Sequence, residues 1–230
     1  MRSTPAHRPT RSSSIRLTPA HACPAHALRA IRTTARVILR EPALALPHAS
    51  VRDIGELDFE RLHAAGCTGV VFDKDNTLTA PYANEVYPRL SSALKSCIAT
   101  FGEQRVAVMS NSAGTPDDPG GAGADAIEAA LGVPVLRRRY KKPRGFESVC
   151  EHFGCDGSTL LMVGDRYLTD VVFGNLHGML TVHTQQLTTV GDNRVAQLMR
   201  RLEDRLVARY ERIGLLPPPH PIATRWAEPR

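Results

Sequence analysis

The chain has little of what a metal ribbon, a disulfide scaffold or a membrane span would need. Its five cysteines, Cys23, Cys67, Cys97, Cys150 and Cys155, are odd in number and never spaced as CxxC. That argues against a zinc ribbon and against a disulfide framework, and leaves small buried thiols in a reducing compartment. No apolar run reaches the ~18 residues of a transmembrane helix, so any membrane contact would be peripheral. No internal repeat is present. Residues 1–40 contain eight arginines but no Asp, Glu or Lys. Taking those eight from the 29 basic residues leaves 21 against 23 acidic ones, so the formal charge of +6 belongs to the N-terminal segment. The global basicity is therefore no argument for nucleic-acid binding.

An acid-free, Arg-rich segment with Ser12, Ser13, Ser14, Thr4, Thr10 and Thr18 has the composition of an organellar transit peptide. Residues 1–40 read as such a presequence, disordered and outside the fold; a tail with no address would share the composition. Residues 41–66 read as an N-terminal extension packing on the core, 67–192 as a catalytic domain, 193–216 as an amphipathic helix and 217–230 as a disordered tail. In the catalytic domain, apolar runs at 68–72, 105–109, 133–136, 160–163 and 180–182 alternate with helical patterns near 86–101, 121–131, 144–153 and 167–177. This predicts an α/β fold, a Rossmann-like parallel sheet with helices on both faces. Ligands of such sheets bind at the carboxyl ends of the strands near a topological switch point. In the 193–216 helix, Val195, Leu198, Leu202 and Leu206 form one stripe among arginines. The stripe is expected to pack on the domain, with a membrane-surface role as the alternative.

Four polar clusters carry the chemistry. Val70-Val71-Phe72 ends in Asp73-Lys74-Asp75-Asn76-Thr77, two carboxylates one residue apart. Like charges that close need a cation between them, and Mg²⁺ suits carboxylates combined with phosphate oxygens. Asp73 can attack phosphorus and Asp75 can act as general acid and then base, although an acidic turn would use the same residues. After a second apolar run, Ser110 and Asn111 can donate to a phosphoryl oxygen or can cap a helix. Lys141-Lys142-Pro143 offers an ammonium for a phosphate, or continues the solvated basic run Arg137 to Arg139, and Pro143 suits the first turn of a following helix. Leu161 to Gly164 ends at Asp165, with Asp170 beyond. Asp165 can ligate the metal with Asp170 in support, or can cap a helix. The four clusters in this order, most at strand ends, point together to phosphoryl transfer.

Asp73-x-Asp75-x-Thr77, Ser110-Asn111, Lys142-Pro143 and Gly164-Asp165 with Asp170 resemble the four motifs of the haloacid dehalogenase-like phosphatases. The longer strings Val70 to Tyr82, Ser110 to Gly114, Lys141 to Pro143 and Val163 to Asp170 resemble the organellar phosphatidylglycerophosphate phosphatases of mitochondria and plastids. The likeness runs from about Leu46 to about Leu216. It implies an aspartyl-phosphate intermediate on Asp73, Asp75 as acid and base, and Lys142, the residue before proline, as the catalytic lysine. It further implies Mg²⁺ held by Asp73, the backbone carbonyl of Asp75, Asp165 and Asp170, and phosphate binding by Ser110, Asn111 and Thr77. The implied substrate is an anionic phospholipid, on the matrix side of the mitochondrial inner membrane or the stromal side of a plastid membrane, in phosphatidylglycerol and cardiolipin synthesis. A soluble phosphomonoester or a phosphoprotein is the alternative substrate, and a non-catalytic module the alternative class. Candidate membrane contacts are Ala43 to Leu46, Arg137 to Arg139 and the Arg-rich helix. Only about 36 residues lie between Asp73 and Ser110 and about 31 between Ser110 and Lys142, each filled by one expected helix. A lid domain does not fit there, so the site is expected to be capless and open.

Overall fold

The computed structural model describes residues 36–227. Five strands, β1 (Ala49–Val51), β2 (Gly69–Phe72), β3 (Val106–Val108), β4 (Leu160–Gly164) and β5 (Leu180–Thr184), form one parallel sheet in the order β1-β5-β4-β2-β3. The helices are α1 (Phe59–Ala64), α2 (Ser91–Phe101), α3 (Ala122–Leu131), α4 (Glu147–Phe153), α5 (Val172–Leu176), α6 (Arg194–Arg212) and α7 (Pro221–Ala227). Side chains alternate across the sheet, and both faces are apolar. Val70, Phe72, Val106, Val108, Leu161 and Val163 pack with residues of α1, α2 and α3, whereas Val71, Ala107, Leu160 and Met162 pack with α4 and with Phe173 of α5. Burial on both faces explains why β2 to β4 read as continuous apolar runs, whereas β5 alternates Leu180 and Val182 with Thr181 and His183. The expected α/β sheet covered on both sides is what the chain forms.

The sheet order puts the switch point at β2, which pairs with β3 on one side and β4 on the other. The carboxyl ends of these three strands lead directly into Asp73, Ser110 and Asp165. Between Asp73 and β3 lies α2, and between β3 and Lys142 lies α3, with no lid domain in either interval.

Several expectations need correction. The run at 133–136 makes only an isolated bridge from Val135 to Val108, because Pro134 offers a carbonyl but no N–H to the ladder. The 41–66 extension does more than pack on the core, since it supplies β1 as an edge strand beside β5. The presequence reading lies outside the described residues except at 36–40, which are helical, with Val37 buried beside Tyr210 and the Ile38 carbonyl accepting from Tyr210 Oη at 3.0 Å. The folded chain thus begins before residue 41. The tail expected to be disordered contains α7, anchored by the buried Ile222 in the main core. Among the thiols, Cys67 and Cys97 are buried and unpaired, and burial pushes the Cys67 thiol up to about 11.

Candidate active site

Asp73 begins the loop after β2, and its N–H donates to the Val163 carbonyl of β4 at 2.8 Å, so the ladder holds it beside Asp165. Asp170 comes from the other side of the same strand end. Tyr167–Val171 forms a widened helical turn in which the Val171 N–H reaches back five residues to Arg166 at 3.3 Å. The Arg166 N–H donates to Asp170 Oδ2 at 3.1 Å and fixes the carboxylate. Carboxylate oxygens of Asp73, Asp165 and Asp170, all buried, lie within 4.8 Å of one another.

Three buried carboxylates at that separation require positive charge. Lys142 Nζ lies 2.6 Å from Asp73 Oδ1 and 2.6 Å from Asp170 Oδ1, with its side chain wholly buried. Burial alone would lower the ammonium's pKa, but Asp170 and Asp73 outweigh it and raise the pKa instead. Burial raises the pKa of Asp73, which Lys142 opposes, and pushes Asp165 well above the usual carboxylate range, with repulsion from Asp73 adding to it. Asp165 Oδ1 is buried with no hydrogen-bond partner among the described residues. An all-oxygen set with an unpartnered carboxylate oxygen suits a hard divalent cation such as Mg²⁺.

The two lysines differ in position. Lys141 points to the rim and pairs with Asp117, while Lys142 reaches the carboxylates. Pro143 does not open a helix: it follows a cis peptide in a turn, and α4 starts only at Glu147. Asn111 lines the pocket, and its Oδ1 accepts from the Lys142 N–H at 3.2 Å, tying the second cluster to the third. Ser110 is buried, and its Oγ accepts from the N–H groups of Ser112 and Ala113, so it shapes the turn after β3. Asp75 lines the pocket beside Asp73 but stands outside the three-carboxylate group, held by Lys74 Nζ at 2.7 Å and the Tyr82 N–H at 2.8 Å. Thr77 is fully buried and is not among the residues that line the pocket.

Three arginines escaped the sequence reading. Arg138 is buried beneath the site and donates to the Ser110 carbonyl and to Asn111 Oδ1. Burial lowers its guanidinium to about 10, against the pull of Asp73 and Asp170. Arg200 of α6 donates to Asp165 Oδ2 at 2.7 Å and pairs with Asp192 at 2.5 Å. Arg166 pairs with the buried Glu203 of α6 at 2.5 Å. Arg200 thus brings α6, a helix expected only to pack on the domain or to meet a membrane, to the pocket lining. The pocket itself holds about 150 Å³, below the 300–1,000 Å³ usual for a whole small-molecule ligand.

Close approach at one glycine holds this geometry. A Cβ on Gly164 would lie 2.4 Å from Asp170 Oδ2 and 2.5 Å from its Cβ. Gly164→Ala is expected to displace Asp170 and lower kcat about 100-fold with a much smaller change in thermal midpoint. Steady-state kinetics beside a melting curve check this, and near-normal kcat would contradict the close packing.

The family model described as mitochondrial PGP phosphatase matches residues 28–188. The chain is 54% identical over 183 residues to phosphatidylglycerophosphate phosphatase 1, chloroplastic, of Chlamydomonas reinhardtii, an alignment covering 79% of this chain and 68% of that protein. It is 45% identical over 199 residues to phosphatidylglycerophosphate phosphatase 1, chloroplastic/mitochondrial, of Arabidopsis thaliana, covering 86% of this chain and 57% of the relative. The mitochondrial phosphatidylglycerophosphatase of Saccharomyces cerevisiae is 26% identical over 170 residues, covering 72% of this chain and 91% of the yeast protein.

Proposed function

We propose a function on one premise: the chain belongs to the mitochondrial PGP phosphatase family. It hydrolyses the terminal phosphomonoester of phosphatidylglycerophosphate to phosphatidylglycerol and phosphate, in an organelle of the kind named for its relatives. The observation that carries the chemistry is Asp73, at the switch point of the sheet, paired with the buried Lys142.

Asp73 Oδ attacks the terminal phosphorus in line, forming the Asp73 acyl phosphate while the bond to the glycerol oxygen breaks. Asp75, half-exposed at the pocket edge, gives its proton to the departing oxygen. Lys142 and the Asn111 side chain offset charge on the transferring oxygens. The phosphatidylglycerol leaves, Asp75 takes a proton from water, and the hydroxide attacks phosphorus to free phosphate and restore Asp73. Asp73, Asp165 and Asp170, with the Asp75 carbonyl, would hold Mg²⁺, whose charge offsets the repulsion between an anionic nucleophile and an anionic phosphate. A pocket of about 150 Å³ admits the phosphate and its glycerol but not two acyl chains, which fits a substrate whose tails remain in the bilayer.

The test is phosphate release by the full chain from phosphatidylglycerophosphate in detergent micelles, with glycerol phosphate and sugar phosphates in parallel. Mg²⁺-dependent release that strongly favours the lipid is the expected result. Release from the soluble esters alone would retain the chemistry but overturn the substrate.

A further inference from the structure

The outer face of α6 is apolar and cationic where a packed helix would be polar. Val195, Leu198, Met199 and Leu202 are 68%, 57%, 39% and 46% exposed. The expectation that the stripe packs on the domain holds at Leu206 alone, which joins the cluster of Val207 and Tyr210, and is overturned at Val195, Leu198 and Leu202; Glu203, Val207, Tyr210 and Arg200 make up the rest of the inward face. Around the exposed stripe stand Arg194, Arg201, Arg205, Arg209 and Arg212, all exposed, and none makes an ion pair among the described residues. By helical periodicity the three carboxylates of α6, Glu203, Asp204 and Glu211, lie on the opposite arc. The two other candidate membrane contacts are used within the fold in part, with Arg139 left exposed. Ala45 and Leu46 are buried, Arg137 pairs with Asp125 and Glu128, and Arg138 supports the active site.

From this arrangement we propose that the outer face of α6 docks on an anionic lipid bilayer and sets the mouth of the active site against it. The docking rests on the lipid-substrate reading above. Charge complementarity selects the occupant: five unpaired guanidinium groups flanking exposed aliphatic side chains match a surface of anionic headgroups over acyl chains. Position links the surface to the site. Arg200, on the inner side of the same helix, lines the pocket together with Tyr82, itself 70% exposed. The loop leading into α6 exposes Val190, two residues from Thr188, whose N–H donates to Asn76 beside Asp75. Apolar groups therefore border the pocket entrance from both the α6 side and the Tyr82 turn.

The test is flotation of the full chain with vesicles that contain no phosphatidylglycerophosphate, either phosphatidylcholine alone or phosphatidylcholine with about one-third phosphatidylglycerol. The wild type is expected to float with the anionic vesicles and to be released by high salt. Arg205→Glu with Arg209→Glu is expected to weaken partitioning about 30-fold or more. Leu198→Glu with Leu202→Glu is expected to weaken it as well. Both pairs should retain hydrolysis of p-nitrophenyl phosphate, a soluble ester that needs no surface, and lose hydrolysis of vesicle-embedded lipid. Each variant shares residues 1–35 with the wild type, so a loss reports the helix. Variants that float like the wild type would overturn the proposal. Salt-resistant self-association abolished by the leucine pair, without vesicle binding, would overturn it in favour of a second copy as occupant. If micellar lipid is hydrolysed but anionic vesicles bind no better than neutral ones, docking fails while the substrate assignment stands. Vesicle binding without lipid hydrolysis supports docking and removes the substrate assignment.

Discussion

Asp73→Asn is expected to lower kcat by at least ~10³-fold while leaving the metal-free protein as stable as the wild type, or more so. The amide cannot form an acyl phosphate, so the first step is lost. The stability half follows from the sign of the pKa shift. Burial raises the folded pKa of Asp73 above its ordinary value of 3.8, as it does for Asp165. A carboxylate whose folded pKa is raised destabilises the folded chain as it ionises, so stability falls as pH climbs from the unfolded value through the raised one. Asn removes that cost at neutral pH and still accepts from Lys142 Nζ, which keeps Asp170 as its partner. Chemical denaturation of both proteins in chelator, beside steady-state kinetics, gives the two readouts. A large stability loss would show that Asp73 is structural.

Lys142→Met should have the opposite stability sign and a comparable effect on rate. The methionine fills a similar volume but leaves Asp73 and Asp170 buried without the ammonium that lies 2.6 Å from each. Breaking a buried charge pair from one side costs about 3–5 kcal/mol, and loss of an electrostatic partner for the transferring phosphate costs about 10²–10³ in kcat. The pH dependence separates this from a packing defect. The wild-type contribution of Lys142, whose folded pKa is raised, is fully present below the ordinary lysine value and is lost only at high pH. The destabilisation in the variant comes from ionised carboxylates, so the gap between the two proteins should narrow as pH falls toward the ordinary carboxylate range. A gap that is constant with pH would indicate packing rather than charge.

The strand ends were legible in the sequence because buried parallel strands are written locally. Val70 to Phe72 and Leu161 to Val163 are short apolar runs that stop at a carboxylate, and the sheet brings those two stops together. Other features depend on partners far along the chain. Arg200 and Asp165 are 35 residues apart and Lys142 and Asp73 are 69 apart, and no local period announces such pairs. The face of α6 was misread because the larger apolar arc was expected to pack. The inward arc instead uses a buried Glu203 and Arg200, whose charges are satisfied by Arg166 and Asp165. Arg138 looked like one member of a basic run, yet burial under Asn111 gives it a different place from its neighbours. β1 has only Ala49, Ser50 and Val51, too short for an alternation to stand out, and α7 lies in a proline-rich stretch where only the short set Ile222, Ala223 and Trp226 packs on the core. Thr77, chosen for its hydroxyl in the motif, is turned into the interior by the tight turn in which Leu78 and Thr79 donate to the Lys74 carbonyl.

The central claim, that Asp73 accepts the terminal phosphate of phosphatidylglycerophosphate, is tested most directly by a covalent trap. The full chain is mixed with substrate radiolabelled in the terminal phosphate, quenched in acid during turnover and examined for label on the protein. The account predicts protein-bound label that hydroxylamine releases, as an acyl phosphate requires, that maps to the peptide containing Asp73 and that is absent from Asp73→Asn. Rapid turnover with no label on the protein at any quench time, or label on another residue, would contradict it.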